Sequence, residues 1–433
     1  MTFENSLEYA RAQDRIDPLR AFRGQFHLPH RGGRELIYFT GNSLGLQPRA
    51  TREMIGRELD DWAEHGVEGH FSARSPWYSY HEIFPQQLAH VVGALPEEVV
   101  AMNQLTVNLH VLLTTFYRPD RKRYKIICEA KAFPSDQYAM ESQVRLHGLD
   151  PQDAIVEVAP RAGEHTIRTE DITAVIQLHS SSVAVVLFGG VNYYTGQVFD
   201  MKAITAAGQQ AGAFVGFDLA HAAGNVPLDL HGWNVDFACW CSYKYLNSGP
   251  GGVAGAFIHE RHIANPSLPR MAGWWGYTKA SRFEMKSGFV PIPTAEGWQM
   301  SNAPVLSMAA HKAALNLFEQ AGMQALAEKS RLLTRYLFYL LDCINTDQGH
   351  TAIEVITPRG DGEHGCQVSM LMKERGREVF AALAAAGVLA DWREPNVIRI
   401  APVPLYNTFE EVWQFGHLIS SILSTPGAQA PSI

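Results

Sequence analysis

The chain has 433 residues, of which 46% are hydrophobic and 18% charged, and a formal net charge of −8. That length exceeds one ordinary domain, and the composition suits a large apolar core rather than a disordered chain. An acidic balance without long like-charge runs argues against a nucleic-acid-binding surface, while leaving room for a local pocket that takes one small anion.

The first twenty residues, MTFENSLEYARAQDRIDPLR, carry Glu, Asp and Arg where a secretory signal needs an apolar stretch. No uncharged apolar window reaches the roughly 18 residues that a membrane span requires. Five cysteines (Cys128, Cys239, Cys241, Cys343, Cys366) are odd in number and fall at no metal-ligand spacing. They read as reduced thiols of a cytoplasmic protein.

Short apolar runs alternating with helical patterns through the centre of the chain predict a largely parallel α/β sheet. YKIICE (124–129) and VAVVLF (183–188) are continuous apolar runs of strand length, suited to burial on both faces. DMKAITAAGQQAG (200–212) has a capping Asp, alanine-rich helix formers and a closing Gly, and AFVGFDL (213–219) returns to strand. FACWCS (237–242) and VAGAFIH (253–259) read as two more strands around a turn. From about His311 the apolar residues fall at helical spacing over some nine turns, as one long helix or a helix pair. VIRIA (397–401) is a strand beyond it. The expected organisation is an N-terminal segment (1–45) packing on the small domain, a large sheet domain (46–310) and a small C-terminal domain (311–433).

SYKYLNSGPGG (242–252) places Lys244 between a strand and a glycine-rich turn. A lysine that forms a Schiff base needs a fixed stem, a partly desolvated amine and a backbone open enough for a flat cofactor. Taken alone, a lysine before glycines reads as a solvated surface residue. Asp218 ends an apolar strand 26 residues earlier. A buried acid there could pair with a pyridinium nitrogen, and it could equally cap a helix. His221 reads as a ring contact or as a satisfied core histidine. Leu105 and Thr106 open the helical run LTVNLHVLLTTF, where free amides and a hydroxyl suit a phosphate, although Thr at a helix start is also ordinary capping. Phe133, Ser135 and Asp136 follow the 124–129 strand, on the side where open α/β sheets bind ligands. None of the 18 histidines falls in an HExxH pattern, and no metal is expected. The order of these elements is the layout of fold type I pyridoxal 5′-phosphate enzymes.

The sequence resembles the kynureninase family along nearly the whole chain. The resemblance is carried by GNSLGLQP (41–48), LTVNLH (105–110), FPSD (133–136), VNYYTGQVFD (191–200), the long segment 215–262, MSNAP (300–304) and RIAPVPLYN (399–407). It implies a mostly parallel seven-stranded sheet flanked by helices, with a smaller α+β C-terminal domain. It implies that Lys244 anchors pyridoxal 5′-phosphate, with Tyr243, Leu105 and Thr106 at the phosphate, Phe133 stacked on the ring and Ser135 among the cofactor-binding residues. Asp136, Asp218 and His221 would complete the cofactor site, and Trp274 and Asn302 would reach it from the partner subunit of a homodimer. Arg399 would hold the substrate α-carboxylate, while Ser43, His70 and Asn302 would face the aromatic end.

The implied reaction is hydrolytic Cβ–Cγ cleavage of L-kynurenine or 3-hydroxy-L-kynurenine, with Lys244, Tyr243 and Asp218 as its catalytic residues. Tyr243 is left open between shuttling a proton and only binding phosphate. Gly189 departs from relatives that carry Ser or Thr, and Trp275 and Tyr277 replace Phe and His of animal members. The alternatives are a β-lyase or aminotransferase on the same scaffold, or a non-catalytic sensor that binds the cofactor.

Overall fold

Runs of branched and aromatic residues with no polar face build the middle of a seven-stranded sheet. In the computed structural model, which describes residues 2–265 and 267–425, its order is Val99–Ala101, Gly255–Ile258, Phe237–Trp240, Phe214–Asp218, Val183–Gly189, Lys125–Glu129 and Ile155–Val158. The last five strands in that order run parallel. Gly255–Ile258 is antiparallel to both its neighbours, so the sheet is mixed but mostly parallel, as expected. Residues 183–188 are all buried, which is why that segment shows no polar alternation.

The crossover between Val183–Gly189 and Phe214–Asp218 is the helix Met201–Gln210, whose N-cap Asp200 accepts a hydrogen bond from the Ala203 amide (2.9 Å). On the sheet's face, Phe116 of the helix Leu105–Phe116 stacks on Phe237 at 4.6 Å. These elements belong to a unit made of residues 50–193 and 198–323. The helix Val305–Ala321 is part of it, packed on Thr51–His65 and Pro85–Val92. The long apolar stretch beyond His311 is thus a helix pair. It breaks at Gly322, whose φ of +74° an L side chain would adopt only under strain, and resumes as Met323–Gln348.

Of the described residues, the second unit gathers 2–49, 194–197 and 324–425. Its four-stranded antiparallel sheet runs Ile353–Val355, Val368–Met372, Val397–Ile400, Asp391–Arg393. The N-terminal helix Leu7–Ile16 packs on the last helix, Phe409–Ser424, and Asp14 accepts the amides of Phe409 and Glu410 at 2.7 and 3.0 Å. A buried ion pair, Lys329 to Asp17 at 2.7 Å, ties the same N-terminal segment to Met323–Gln348. Among the described residues, no helix is long and apolar enough to cross a membrane.

Candidate active site

Three neighbouring parallel strands end in Glu129, Gly189 and Asp218. The fourth, Phe237–Trp240, is in register with them, Asp218 facing Cys239, so the chain leaving it emerges beside Asp218 and reaches Lys244 four residues later. The lysine turn is held from several sides. The Asn247 amide donates to the Lys244 carbonyl (3.1 Å) and the Ser248 amide to that of Ser242 (3.0 Å). The Ser242 hydroxyl donates to the Val253 carbonyl. Ser307 Oγ, on the helix Val305–Ala321, accepts the Val253 amide (2.8 Å). From the same helix the buried His311 pairs Nδ1 with Ser248 Oγ at 2.6 Å, its ring stacked on Phe84. Burial and the Lys312 charge push His311 down to about 3, so this imidazole stays neutral.

The ammonium so positioned lies 3.0 Å from His221 Nε2 and 5.7 Å from the centre of the Phe133 ring. One cavity of about 320 Å³ is lined by Leu105, Thr106, Phe133, Ser135, Asp136, Asp218, His221, Tyr243 and Lys244 together. At one side of it the helix Leu105–Phe116 begins without a side-chain cap, beside the start of Pro134–Leu146. There the Thr106 and Ser135 hydroxyls meet at 2.8 Å. Helix-start amides and a hydroxyl pair form a ready anion cradle.

At the other side the carboxyl groups are buried. Burial raises Asp136 well above the usual carboxylate range, and the adjacent Asp218 charge adds to this. Burial also raises Asp218, against the stabilising Ala220 amide, which donates to Oδ1 at 2.7 Å, and the Lys244 charge. Asp136 Oδ1 is buried without a donor from the protein. Two carboxylates in such a place are relieved by a shared proton or by a cation between them. Tyr243 is pushed up to about 12, chiefly by burial, so its phenol keeps its proton.

The sequence reading missed Glu129, Gln104, Val107, Val191, Tyr193, Ala220 and Cys241, which also line this cavity, as does Gly189, noted only as a departure. Glu129 was there to be found, because it ends an apolar strand just as Asp218 does.

Trp274 and Asn302 do not line the Lys244 cavity of their own chain. They line a second cavity in the same unit, of about 440 Å³, with His70, Trp275 and Ser301. Its aromatic wall is stiffened by the buried Arg282, whose guanidinium sits 5.0 to 5.8 Å from the rings of Tyr78, Trp274 and Trp275 and donates to the Trp275 carbonyl at 2.6 Å. Tyr277 lies outside that cavity and lines another hollow with Trp274 and Arg282. In the other unit, Ser43 is exposed in a turn and Arg399 is buried in Val397–Ile400, paired with Asp391.

Two further groupings of histidine and acid occur among the described residues. In one, both Glu98 oxygens already accept backbone amides, from Leu95 and Glu260. In the other, the Lys279 ammonium bridges Glu82 and Glu296.

A model of the kynureninase C-terminal domain matches residues 326–419. A kynureninase from Flavobacterium johnsoniae is 55% identical over 419 residues, 97% of this chain and 98% of that one. The chain belongs to the kynureninase family. A member from Flavobacterium psychrophilum is 53% identical with the same two coverages, and one from Myxococcus xanthus is 51% identical over 95% of this chain and 96% of its own. Among solved structures, a cysteine desulfurase from Thermococcus onnurineus has a TM-score of 0.72 at 16% identity, covering 89% of this chain and 94% of its own. A K223A variant of the enzyme C-DES, with glycine linked to its pyridoxal phosphate, has a TM-score of 0.73 at 18% identity, covering 93% and 99%. Both likenesses fix the fold type.

Kynureninases use pyridoxal 5′-phosphate, and the cavity fits it. An amine, an aromatic face, an anion cradle and an acid pair wanting a proton are the four partners that a phosphorylated pyridine aldehyde needs. A Cβ on Gly189 would come 2.9 Å from Glu129 Oε1, so the bare backbone there makes room for the Glu129 carboxyl group.

Proposed function

We propose that this protein hydrolyses the Cβ–Cγ bond of L-kynurenine or 3-hydroxy-L-kynurenine, giving anthranilate or 3-hydroxyanthranilate and L-alanine. The observation that carries the proposal is the near-full-length likeness to kynureninases, with Lys244 seated in the cavity that the fold provides for the cofactor.

When bound, pyridoxal phosphate supplies an electrophilic carbon for amines and a ring that accepts an electron pair. Thr106, Ser135 and the Leu105 amide would hold its phosphate, and Phe133 its ring face. Asp218, with Asp136 behind it, would keep a proton on the ring nitrogen. Lys244 would take and return the proton at the substrate Cα, and the His221 contact supports its orientation. Tyr243, which keeps its phenolic proton, is suited to donating at a later step and to binding phosphate. One water is consumed, its oxygen ending in the aromatic acid and its hydrogens shared between the two products.

Arg399 would fix the α-carboxylate, a planar two-point task for a guanidinium. Arg399→Ala is expected to raise KM at least about 30-fold with a smaller change in kcat. Asp391 keeps Arg393 as a partner at 3.2 Å in that variant, so the local fold has a substitute charge. An unchanged KM would remove the carboxylate role.

A homodimer is the expected assembly, with Trp274 and Asn302 serving the partner subunit's cofactor and Ser43 and His70 facing the substrate's aromatic end. Trp274 is 43% exposed, and Phe71, Phe283 and Met285 are exposed as well, which supports a covered apolar face. Five cysteines outside any disulfide support a reducing cytoplasmic location, and the family likeness supports a place in tryptophan degradation, feeding NAD synthesis where the 3-hydroxy substrate is used.

The test is incubation with L-kynurenine and with its 3-hydroxy form. Fluorescence of the anthranilate product rising one-to-one with alanine is expected. Pyruvate or a keto acid as the main product would assign a β-lyase or aminotransferase instead.

A further inference from the structure

We propose that Glu129 is a third acid of the cofactor pocket, one whose carboxyl group, admitted to the pocket wall by the missing side chain of Gly189, hydrogen-bonds to bound pyridoxal phosphate. This rests on the cofactor reading above and adds a contact to it.

Glu129 is 3% exposed at the end of Lys125–Glu129, and it lines the same cavity as Lys244, Asp136 and Asp218. Its Oε2 accepts the Asn192 side-chain amide at 3.0 Å, and the Gly189 backbone lies against the same carboxyl group. A Cβ built on Gly189 would come 2.9 Å from Oε1. At this position, therefore, the carboxyl oxygen and not a side chain from the neighbouring strand occupies the wall of the pocket. With Oε2 held by Asn192 and the carboxyl group in the cavity wall, its remaining hydrogen-bonding capacity is available to what fills the cavity.

The ionisation of Glu129 suits the same task. Burial raises it to about 7, with the Asp218 charge adding to the rise and Asn192 and Gly189 opposing it. The charged groups facing it across the cavity are Asp136, Asp218 and Lys244, with His221 beside the lysine. A group balanced near neutrality can donate to an acceptor oxygen when protonated and accept from a donor when ionised.

The experiment uses the cofactor-loaded protein and two readouts besides turnover, the pH midpoint of the cofactor's visible absorbance and its dissociation constant. In wild type the band is expected to shift with a midpoint near neutral pH. Glu129→Gln keeps the size and removes the charge change. It should move that midpoint by about one pH unit or more, while holding the cofactor within a fewfold of wild type. Glu129→Ala should weaken cofactor binding roughly tenfold.

Gly189→Ala disturbs the carboxyl group without removing it and should reproduce part of the spectral shift, which covers the case of a Glu129 variant that does not fold. Midpoints within about 0.3 pH unit and dissociation constants within about twofold of wild type for Glu129→Gln and Gly189→Ala would overturn the proposal and leave the functional reading standing. A wild-type protein that takes up no pyridoxal phosphate would overturn both.

Discussion

Lys244→Ala is expected to give a folded protein that has lost the absorbance of lysine-linked cofactor and about 10⁴-fold or more of its turnover. The loss combines two functions of one atom. Nζ is the amine placed 3.0 Å from His221 Nε2 and over the Phe133 ring, and among the described residues no other lysine lines that cavity. It is also the positive charge that favours ionised Asp136 and Asp218. Without it both acids become harder to ionise, and they take up protons rather than unfold the protein. The checks are an absorbance scan after loading with pyridoxal phosphate, steady-state kinetics, and a denaturant midpoint within experimental scatter of wild type. Retained turnover would remove Lys244 from the mechanism.

Asp218→Asn should lower kcat by roughly 10²–10³-fold while the cofactor still binds. The amide has the shape of the acid and can still accept the Ala220 amide, but it cannot hold a proton on a ring nitrogen. The substitution has a second signature in the cofactor-free protein. Asp218 is raised in the folded state, so folding takes up a proton and stability declines as pH rises above the ordinary carboxylate range. Removing one such acid should flatten that decline. Thermal midpoints of wild type and variant, followed from about pH 4 to pH 7, should converge at the acid end and separate in favour of the variant toward neutrality. A kcat within fivefold of wild type would exclude Asp218 from the chemistry.

How far the site could be read from the sequence depended on whether the signal was local. Asp218, Phe133, Ser135 and Asp136 stand at or just past the ends of apolar strands, and Lys244 stands between a strand and glycines. The parallel register then brings them to one cavity. Glu129 carries the same local signal at the end of YKIICE. Arg282 had no local signal at all. Its role against three aromatic rings depends on Tyr78, some two hundred positions away, being folded onto Trp274 and Trp275. The Ser248–His311 contact joins residues 63 apart, and nothing in the helical pattern around His311 distinguishes it from a core histidine. For the fold, strand composition located the parallel core. The antiparallel strand Gly255–Ile258 reads like its neighbours, because a fully buried strand shows the same apolar run in either direction.

The neutral His311 beneath the lysine turn has a consequence for how this protein can be studied. A foundation that does not change charge between about pH 5 and pH 9 keeps the turn in one place across that range. An inflection in a rate or an absorbance over those values then does not come from this histidine, and titrations of single-site variants can be read without a change of charge beneath the lysine turn.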